Sequence, residues 1–213
     1  MRTTGEVDST GHVLYRNRRA LDRGDGAPDD ARWAEPAEVF GTGGAAPLLR
    51  RALLDDVALE LDGRREWFDE DFFAYYEDID LCWRGRLRGW TFRYAPDAVA
   101  RHVRGGSGGR RRDSVEAGNH RNRILLMAKD DAVPSLLRHL GGILYTELRA
   151  AVHLGATRPR ALLLAYLGLV RLLPRALRKR RLVQARRTVG WRELEPWLEP
   201  YDYRAVLVRG RGR

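Results

Sequence analysis

The sequence is poor in cysteine, in lysine and in long apolar runs, and these shortages exclude several classes of protein. Cys82 is the only cysteine, so the chain can form neither an intramolecular disulfide nor a Cys-x-x-Cys metal site, which fits a reducing compartment. The longest apolar run is ALLLAYLGLV at residues 161–170, whereas a membrane-spanning helix needs ~20 such residues. Residues 1–10 lack the apolar segment of a secretory signal. We therefore expect a cytoplasmic protein whose helices do not cross a bilayer.

Charge is distributed unevenly along the 213 residues. Residues 1–100 contain 14 Lys+Arg against 20 Asp+Glu, residues 101–213 contain 25 against 9, and the formal net charge is +10. Only Lys129 and Lys179 are lysines, and we attribute the excess of arginine to genomic composition rather than to chemistry. An acidic half followed by a basic half predicts two surfaces with different roles.

Apolar spacing predicts a mixed α/β region followed by helices. Apolar residues recur at helical spacing in two segments, 46–58 and 77–88. Gly89, directly after the second segment, is suited to terminate a helix. Residues 6–21 have the pattern of a β-hairpin with its turn at 9–11. Two further short strands are predicted at 90–96 and 98–103. A Gly/Arg loop follows from residue 104. We divide the chain into a catalytic or binding region, a Leu/Arg-rich helical region and a tail: 1–112, 113–190 and 191–213.

Residues 40–46, FGTGGAA, contain the G-x-G-x-x-A outline of a dinucleotide-binding fingerprint. That fingerprint follows a buried strand, opens a helix and precedes an acid by ~20 residues. Here Pro47 follows the run, and the polar segment AEPAEV precedes it. We therefore favour a tight turn in which the backbone closely approaches a ligand or another strand.

Residues 69–80, DEDFFAYYEDID, place six carboxylates around a run of aromatic residues in a basic chain. One interpretation is structural: Glu77 and Asp78 gain from the positive end of the helix dipole, and Asp80 pairs with Arg84 at i,i+4. The other interpretation is catalytic. A carboxylate at the edge of an apolar wall is partly desolvated, which raises its pKa, so that it can accept a proton.

His102 follows the last predicted strand, 24 positions after Asp78. A lone histidine is often structural. The helix and strand between these two residues can nevertheless return the chain to the same sheet edge. There a neutral imidazole could bind a divalent metal that already has carboxylate ligands.

Residues 40–57 and 68–102 resemble the C-terminal half of the catalytic domain of family 2 glycosyltransferases. The second stretch, FDEDFFAYYEDIDLCWRGRLRGWTFRYAPDAVARH, is most similar to bacterial rhamnosyltransferase-like enzymes of cell-surface polysaccharide synthesis. The resemblance implies the distal half of a GT-A mixed sheet with flanking helices, followed here by amphipathic C-terminal helices. It also implies inverting transfer of a sugar, with rhamnose as the first candidate, from a nucleotide-diphosphate sugar to a glycan or lipid-linked acceptor.

The resemblance assigns roles to individual residues. Asp78 matches the catalytic base that takes the proton of the acceptor hydroxyl, and Glu77 supports it. His102 matches the histidine that helps to hold a divalent metal, magnesium or manganese, under the donor diphosphate. The remaining positions match substrate contacts, on the acceptor-side turn and directly after the base: Gly43, Gly44, Ala45, Trp83 and Arg84.

The sequence departs from the family pattern before Gly41. The resemblance implies a nucleotide-binding half there that ends in an Asp-x-Asp metal motif, and no Asp-x-Asp precedes Gly41 in this sequence. We therefore expect this chain to be the distal part of an enzyme whose donor-binding half lies on a separate chain or segment. We also expect it to transfer no sugar by itself.

The basic region at 133–187 has two interpretations. Its arginines could bind nucleic acid, but arginine interrupts Leu-rich faces at helical spacing, as in helices that lie on anionic membranes. We favour the membrane surface and expect peripheral attachment at the inner face of the plasma membrane. A rival hypothesis from another class is a non-catalytic membrane- or nucleic-acid-binding module derived from such an enzyme.

Overall fold

The computed structural model of the chain describes residues 5–103 and 112–203, which form a mixed α/β structure with small sheets. The strands within these ranges are β1 (His12–Tyr15), β2 (Ala20–Asp22), β3 (Ala37–Val39), β4 (Leu59–Leu61), β5 (Arg64–Glu66), β6 (Phe92–Tyr94) and β7 (Leu198–Glu199). The α-helices there are α1 (Arg51–Val57), α2 (Glu77–Leu87), α3 (Arg112–Asp130), α4 (Val133–Arg138), α5 (Leu140–Thr157), α6 (Pro159–Arg186) and α7 (Trp191–Leu194). The predicted α/β class is confirmed, and its assignment to a GT-A half-sheet stays a prediction.

β1 and β2 form the predicted hairpin, but its turn lies at residues 16–19 and not at 9–11. The two strands pair antiparallel, with His12 opposite Asp22. Arg18 adopts the left-handed conformation in this turn, with φ of 62°. Its buried guanidinium donates hydrogen bonds to side chains in α4 and just before it. Contacts distant in sequence therefore stabilise this turn, which explains why the local pattern misplaced it.

Two of the remaining pairings join strands that are far apart in sequence, and β4 and β5 form a second short hairpin. β7 lies parallel to β1 and completes a three-stranded sheet in the order β2-β1-β7. β3 pairs with β6, and β4 pairs with β5. The strand predicted at 98–103 is wrong, because these residues have no regular secondary structure. Val99 and Val103 are exposed there, so the alternation that predicted a strand has no buried face.

The helix predicted to follow the acid cluster is confirmed. α2 ends at Leu87, and Gly89 follows with φ of 85°, the conformation that glycine commonly adopts just after a helix. β6 confirms the strand predicted in the next segment. α1 is shorter than the predicted helix at 46–58, because the chain is still extended at Arg50, with ψ of 136°.

α3 to α6 confirm the helical region predicted after residue 113. α3 and α6 pack along each other, and apolar residues of both join α1, α2 and the strands in one core. Within the described ranges, none of the helices is long and apolar enough to span a membrane. The Gly/Arg loop predicted from residue 104 lies outside the described residues as far as residue 111.

The two lysines of the chain lie at the centre of a buried ionic network. Both Lys129 in α3 and Lys179 in α6 are fully buried. Their partners come from β5 and from the acid cluster: Asp69 and Asp80 for Lys129, and Glu66, Asp69 and Asp71 for Lys179. Composition gave these lysines no role, whereas the structure shows that they join α3 and α6 to the region before α2.

Asp80 extends this network through Arg84. Its Oδ2 accepts hydrogen bonds from Arg84 Nε at 3.0 Å and Nη2 at 2.8 Å, and both side chains are buried. Three of the six acids in residues 69–80 therefore neutralise buried cations. The predicted Asp80–Arg84 pair is confirmed, whereas the pairs that Asp69 and Asp71 form with the lysines were not predicted. Asp78 has different surroundings.

Candidate active site

The carboxylate of Asp78 lies where the start of α2 meets β1 and the glycine-rich turn. Its Oδ2 accepts a hydrogen bond from Gly44 N at 2.8 Å and lies 3.2 Å from His12 Nε2. Its Oδ1 accepts a hydrogen bond from Ile79 N at 2.8 Å. The side chain is 20% exposed, so it can be reached from solvent. Glu77 precedes it as the first, half-buried residue of α2.

The turn at residues 41–45 reaches Asp78 because Gly41 packs directly against α2. A Cβ added to Gly41 would lie 2.5 Å from Cys82 Cβ, closer than real side chains approach. The same contact brings Gly44 N to the Asp78 carboxylate. The turn carries all three residues predicted for the acceptor side: Gly43, Gly44 and Ala45. The tight-turn interpretation is therefore confirmed, and the closely approached element is a helix.

The pKa of Asp78 shifts in the direction opposite to the one predicted. Burial disfavours the charged form, as expected, but the hydrogen bond and charge of His12 outweigh this effect. The backbone N–H groups of Gly44 and Ile79 act in the same sense, so the pKa lies below its ordinary value of 3.8. Asp78 is therefore ionised at neutral pH, as a general base must be, although it holds a proton less strongly than predicted.

The aromatic run before Asp78 is divided between the core and the surface. Phe72 is buried, whereas Phe73 and Tyr75 are 76% and 44% exposed. These two exposed rings are therefore available for the predicted sugar-facing wall. Phe73, Tyr75 and Tyr76 have φ between 62° and 71°, a left-handed conformation that residues other than glycine rarely adopt.

Asn122 of α3 is placed to hold this segment in its unusual conformation. Its Nδ2 donates to carbonyl oxygens of the run: Phe72 at 2.9 Å, Ala74 at 2.9 Å and Tyr75 at 2.8 Å. The side chain is fully buried, so water does not compete for these hydrogen bonds. Sequence reasoning missed this residue, because an asparagine between two arginines in a helix has no distinctive pattern.

His12 is a second site residue that sequence reasoning missed. It begins β1 and is 8% exposed, with Nδ1 3.6 Å from Asp22 Oδ1 and Nε2 facing Asp78. Gly43 lies against the ring, since a Cβ added there would be 3.7 Å from it. His12 stands 66 positions before Asp78, and a single histidine in a short strand gives no periodic signal.

Trp83 and Arg84, predicted as substrate contacts, lie in the interior and are 3% and 2% exposed. Trp83 packs edge-to-face on Phe40, with ring centroids 6.0 Å apart. Arg84 binds Asp80 and donates to the backbone oxygen of Trp67 at 2.8 Å. Trp83 therefore packs in the core, and Arg84 is bound within the protein and also lines a cavity away from Asp78. Their role as substrate contacts stays a prediction.

His102 lies in the irregular segment after β6, with its Nδ1 2.8 Å from Asp8 Oδ2. Magnesium and manganese prefer several oxygen ligands. Within residues 5–103 and 112–203, no group of three or more His, Cys, Asp or Glu side chains could hold a metal ion. The pair of His102 and Asp8 does not fit a divalent metal by itself. The role of His102 as a metal ligand stays a prediction.

A cavity of about 420 Å³ lies elsewhere, between α1, β4 and α6. Its charged lining is already paired within the protein: Asp56 accepts hydrogen bonds from Arg88, and Arg84 binds Asp80. We place the candidate site at Asp78 and not in this cavity, because Asp78 combines an exposed carboxylate with a backbone turn that carries little side-chain bulk.

The Asp78 carboxylate is ionised and partly exposed, so it can accept a proton from a hydroxyl group that reaches it from solvent. Comparison of the chain with protein families, with curated protein sequences and with solved structures found no match. The geometry of the site and the sequence resemblance are therefore the grounds for a functional proposal.

Proposed function

We propose that this chain is the acceptor-side part of an inverting glycosyltransferase. It would transfer a sugar from a nucleotide-diphosphate sugar to a cell-surface glycan or a lipid-linked acceptor. The observation that carries the proposal is the hydrogen bond between Gly44 N and Asp78 Oδ2 at 2.8 Å. The resemblance assigned the base and the acceptor-side turn to positions 34 residues apart, and the two are in contact.

The proposed reaction uses Asp78 as general base. The acceptor hydroxyl loses its proton to the Asp78 carboxylate while its oxygen forms a bond to the anomeric carbon from the face opposite the diphosphate. The bond from that carbon to the diphosphate oxygen breaks, and the configuration inverts. A hydroxyl has a pKa far above neutrality, so a positioned base contributes ~10²–10⁴-fold in rate. We assign the donor diphosphate to the donor-binding half that the resemblance implies.

The test is sugar transfer from labelled nucleotide-diphosphate sugars in membranes that contain this chain together with a donor-binding half. Asp78→Asn keeps the size of the side chain and removes the proton acceptor, so turnover should fall at least ~10²-fold while the fold persists. Glu77→Gln is the matched control on the neighbouring acid, and we expect a smaller loss. Unchanged turnover of the folded Asp78→Asn variant would contradict the assignment.

We further propose that α5 and α6 attach the chain to an anionic membrane surface, as the basic sequence predicted. Several apolar side chains of both helices are 57–74% exposed: Leu144, Leu148, Val152, Leu163, Leu167 and Val170. On α5, Leu144, Leu148 and Val152 recur at intervals of four residues and therefore share one face. α6 carries no Asp or Glu, and Glu147, the only acid of α5, pairs with Arg123.

This surface favours a membrane over nucleic acid. Nucleic-acid binding requires cations aligned along phosphates, and it gains little from exposed leucine or valine. A helix that lies in a lipid interface combines an apolar face with flanking cations. The same surface fits the non-catalytic rival hypothesis, so only the Asp78 experiment distinguishes an enzyme from a membrane-binding module.

A further inference from the structure

We propose that His12, which lies between Asp22 and Asp78, is a positioning residue that keeps the Asp78 carboxylate ionised and directed at the acceptor hydroxyl. The inference rests on the proposed function, because His12 acts through Asp78. It adds residues that the resemblance did not assign, on strands outside the acid cluster.

The start of β1 brings His12 to Asp78. His12 N donates to Gly41 O at 2.8 Å, so strand and turn are joined beside the site. Gly11, with φ of 123°, precedes it in close contact with β3: a Cβ there would lie 2.9 Å from Val39 Cγ2. Only a glycine at residue 11 allows this approach without displacing β3. The position of the imidazole is therefore determined by the backbone on both sides.

Asp22 supports His12 from the neighbouring strand. The two residues are directly opposite in the β1–β2 register, where cross-strand side chains interact. Asp22 Oδ1 lies 3.6 Å from Nδ1, while Nε2 lies 3.2 Å from Asp78 Oδ2. The 3.6 Å separation is too long for a hydrogen bond, so the Asp22 carboxylate acts on the ring through its charge. The imidazole thus lies between two carboxylates, only one of which belongs to the proposed reaction.

The ionisable groups around the Asp78 carboxylate come from three elements. β1 contributes His12, β2 contributes Asp22 behind it, and α2 contributes Glu77 and Cys82. Burial raises the pKa of the Cys82 thiol to about 12, so that thiol is neutral. Burial raises the Asp78 pKa, and the hydrogen bond and charge of His12, together with the N–H groups of Gly44 and Ile79, lower it below its ordinary value. A histidine that only filled space would affect stability and leave the titration of Asp78 unchanged.

Carbon-13 NMR of the aspartate carboxyl groups in the 213-residue chain tests the proposal, with Asp78→Asn identifying the signal. In the unmodified chain, the pH at the midpoint of the Asp78 carboxyl titration should lie below 3.8. His12→Phe retains an aromatic ring and removes both ring nitrogens, so the midpoint should rise. His12→Gln keeps a hydrogen-bond donor and should give an intermediate value, and it also serves if His12→Phe does not fold. His102→Phe, which breaks the other histidine–aspartate pair, is the matched control and should leave the Asp78 midpoint unchanged.

The transfer assay provides a second measurement. Because Asp78 must be ionised to act, a higher Asp78 pKa moves the acidic limb of the kcat profile to higher pH in His12→Phe, with little change in KM for the donor. An unchanged Asp78 midpoint in folded His12→Phe and His12→Gln chains would overturn the role of His12 and leave the proposed function intact. A shifted midpoint together with full activity of Asp78→Asn would instead refute the proposed function.

Discussion

At the residue scale, the segment before Asp78 is held in a conformation that its own sequence disfavours. Phe73, Tyr75 and Tyr76 occupy the left-handed region, which costs a non-glycine residue ~1–3 kcal/mol and persists only where surrounding contacts maintain it. Three carbonyl oxygens of the segment accept hydrogen bonds from Asn122. The backbone next to the proposed base therefore depends on one buried amide from another helix.

This dependence predicts the effect of Asn122→Leu. The substitution keeps a side chain of similar size and removes the donor to the carbonyl oxygens of Ala74 and Tyr75, while Phe72 O keeps its hydrogen bond from Ala74 N. The free energy of unfolding should therefore fall by ~1–3 kcal/mol. Backbone amides of residues 72–76 should exchange faster than those of α2 in hydrogen-exchange mass spectrometry. Asn119→Leu, a half-buried asparagine on the same helix, is the control. Equal protection of 72–76 in both variants would show that Asn122 does not maintain the segment.

At the element scale, the contacts between α3, α6 and the acid cluster are largely electrostatic. Four cations converge there, Lys129, Lys179, Arg84 and Arg175. Five acids surround them: Glu66, Asp69, Asp71, Asp80 and Asp130. Burial and the charge of Asp80 raise the Asp130 pKa well above its ordinary value of 3.8. Asp130 therefore ionises less readily in the folded chain than in the unfolded chain.

Asp69→Asn and Asp130→Asn should have opposite effects on stability. Burial disfavours ionised Asp69, but Lys129 and Lys179 outweigh it and lower its pKa, so Asp69 contributes stability above about pH 3.8 that is lost as pH falls towards its folded pKa. Asp69→Asn breaks a buried pair and should cost ~3–5 kcal/mol at pH 7.

For Asp130 the effect of ionisation on stability has the opposite sign. Its raised pKa costs stability as pH rises above 3.8, so Asp130→Asn should be more stable than the unmodified chain at pH 7.

Urea unfolding at pH 4 and pH 7 measures both variants. The advantage of Asp130→Asn should grow from pH 4 to pH 7, because the raised folded pKa lets the unfolded chain release the Asp130 proton at lower pH than the folded chain does. Glu70→Gln is the control: its pair with Arg64 is about 60% exposed on both sides, and such pairs contribute at most ~1 kcal/mol. A loss of stability at pH 7 in Asp130→Asn would contradict a raised Asp130 pKa in the folded chain.

At the scale of the whole molecule, the sequence predicted what depends on local pattern and missed what depends on distant contacts. α2 and its terminal Gly89 follow from neighbouring residues, and the turn at 41–45 follows from its glycines. His12 reaches Asp78 across 66 positions, and Lys179 reaches Asp69 across 110. No pattern within a window of residues can encode such pairs. The rarity of lysine was the one available signal for the ionic network, and composition alone could not show that both lysines are buried.

The exposed apolar face of α5 gives a prediction for the molecule as a whole, which is binding to anionic vesicles. The full chain should sediment with phosphatidylglycerol vesicles and much less with phosphatidylcholine vesicles. Each arginine near an anionic surface contributes ~1 kcal/mol, and this attraction falls off within a Debye length, so high salt should release the chain. Replacing Leu144, Leu148 and Val152 together by asparagine removes apolar area from the lipid contact and should weaken binding at least ~10-fold.

Leu48→Asn is the matched control for that experiment, because Leu48 is fully exposed outside α5 and α6. Its loss should leave vesicle binding unchanged if the contact is confined to the helical face. Equal binding to both lipids would show that charge plays no part, and stronger competition by RNA than by anionic vesicles would favour the nucleic-acid interpretation. Salt-sensitive binding that the α5 variant loses and Leu48→Asn retains would place the apolar face of α5 against the bilayer, because only this result requires apolar contact and lipid charge at the same surface.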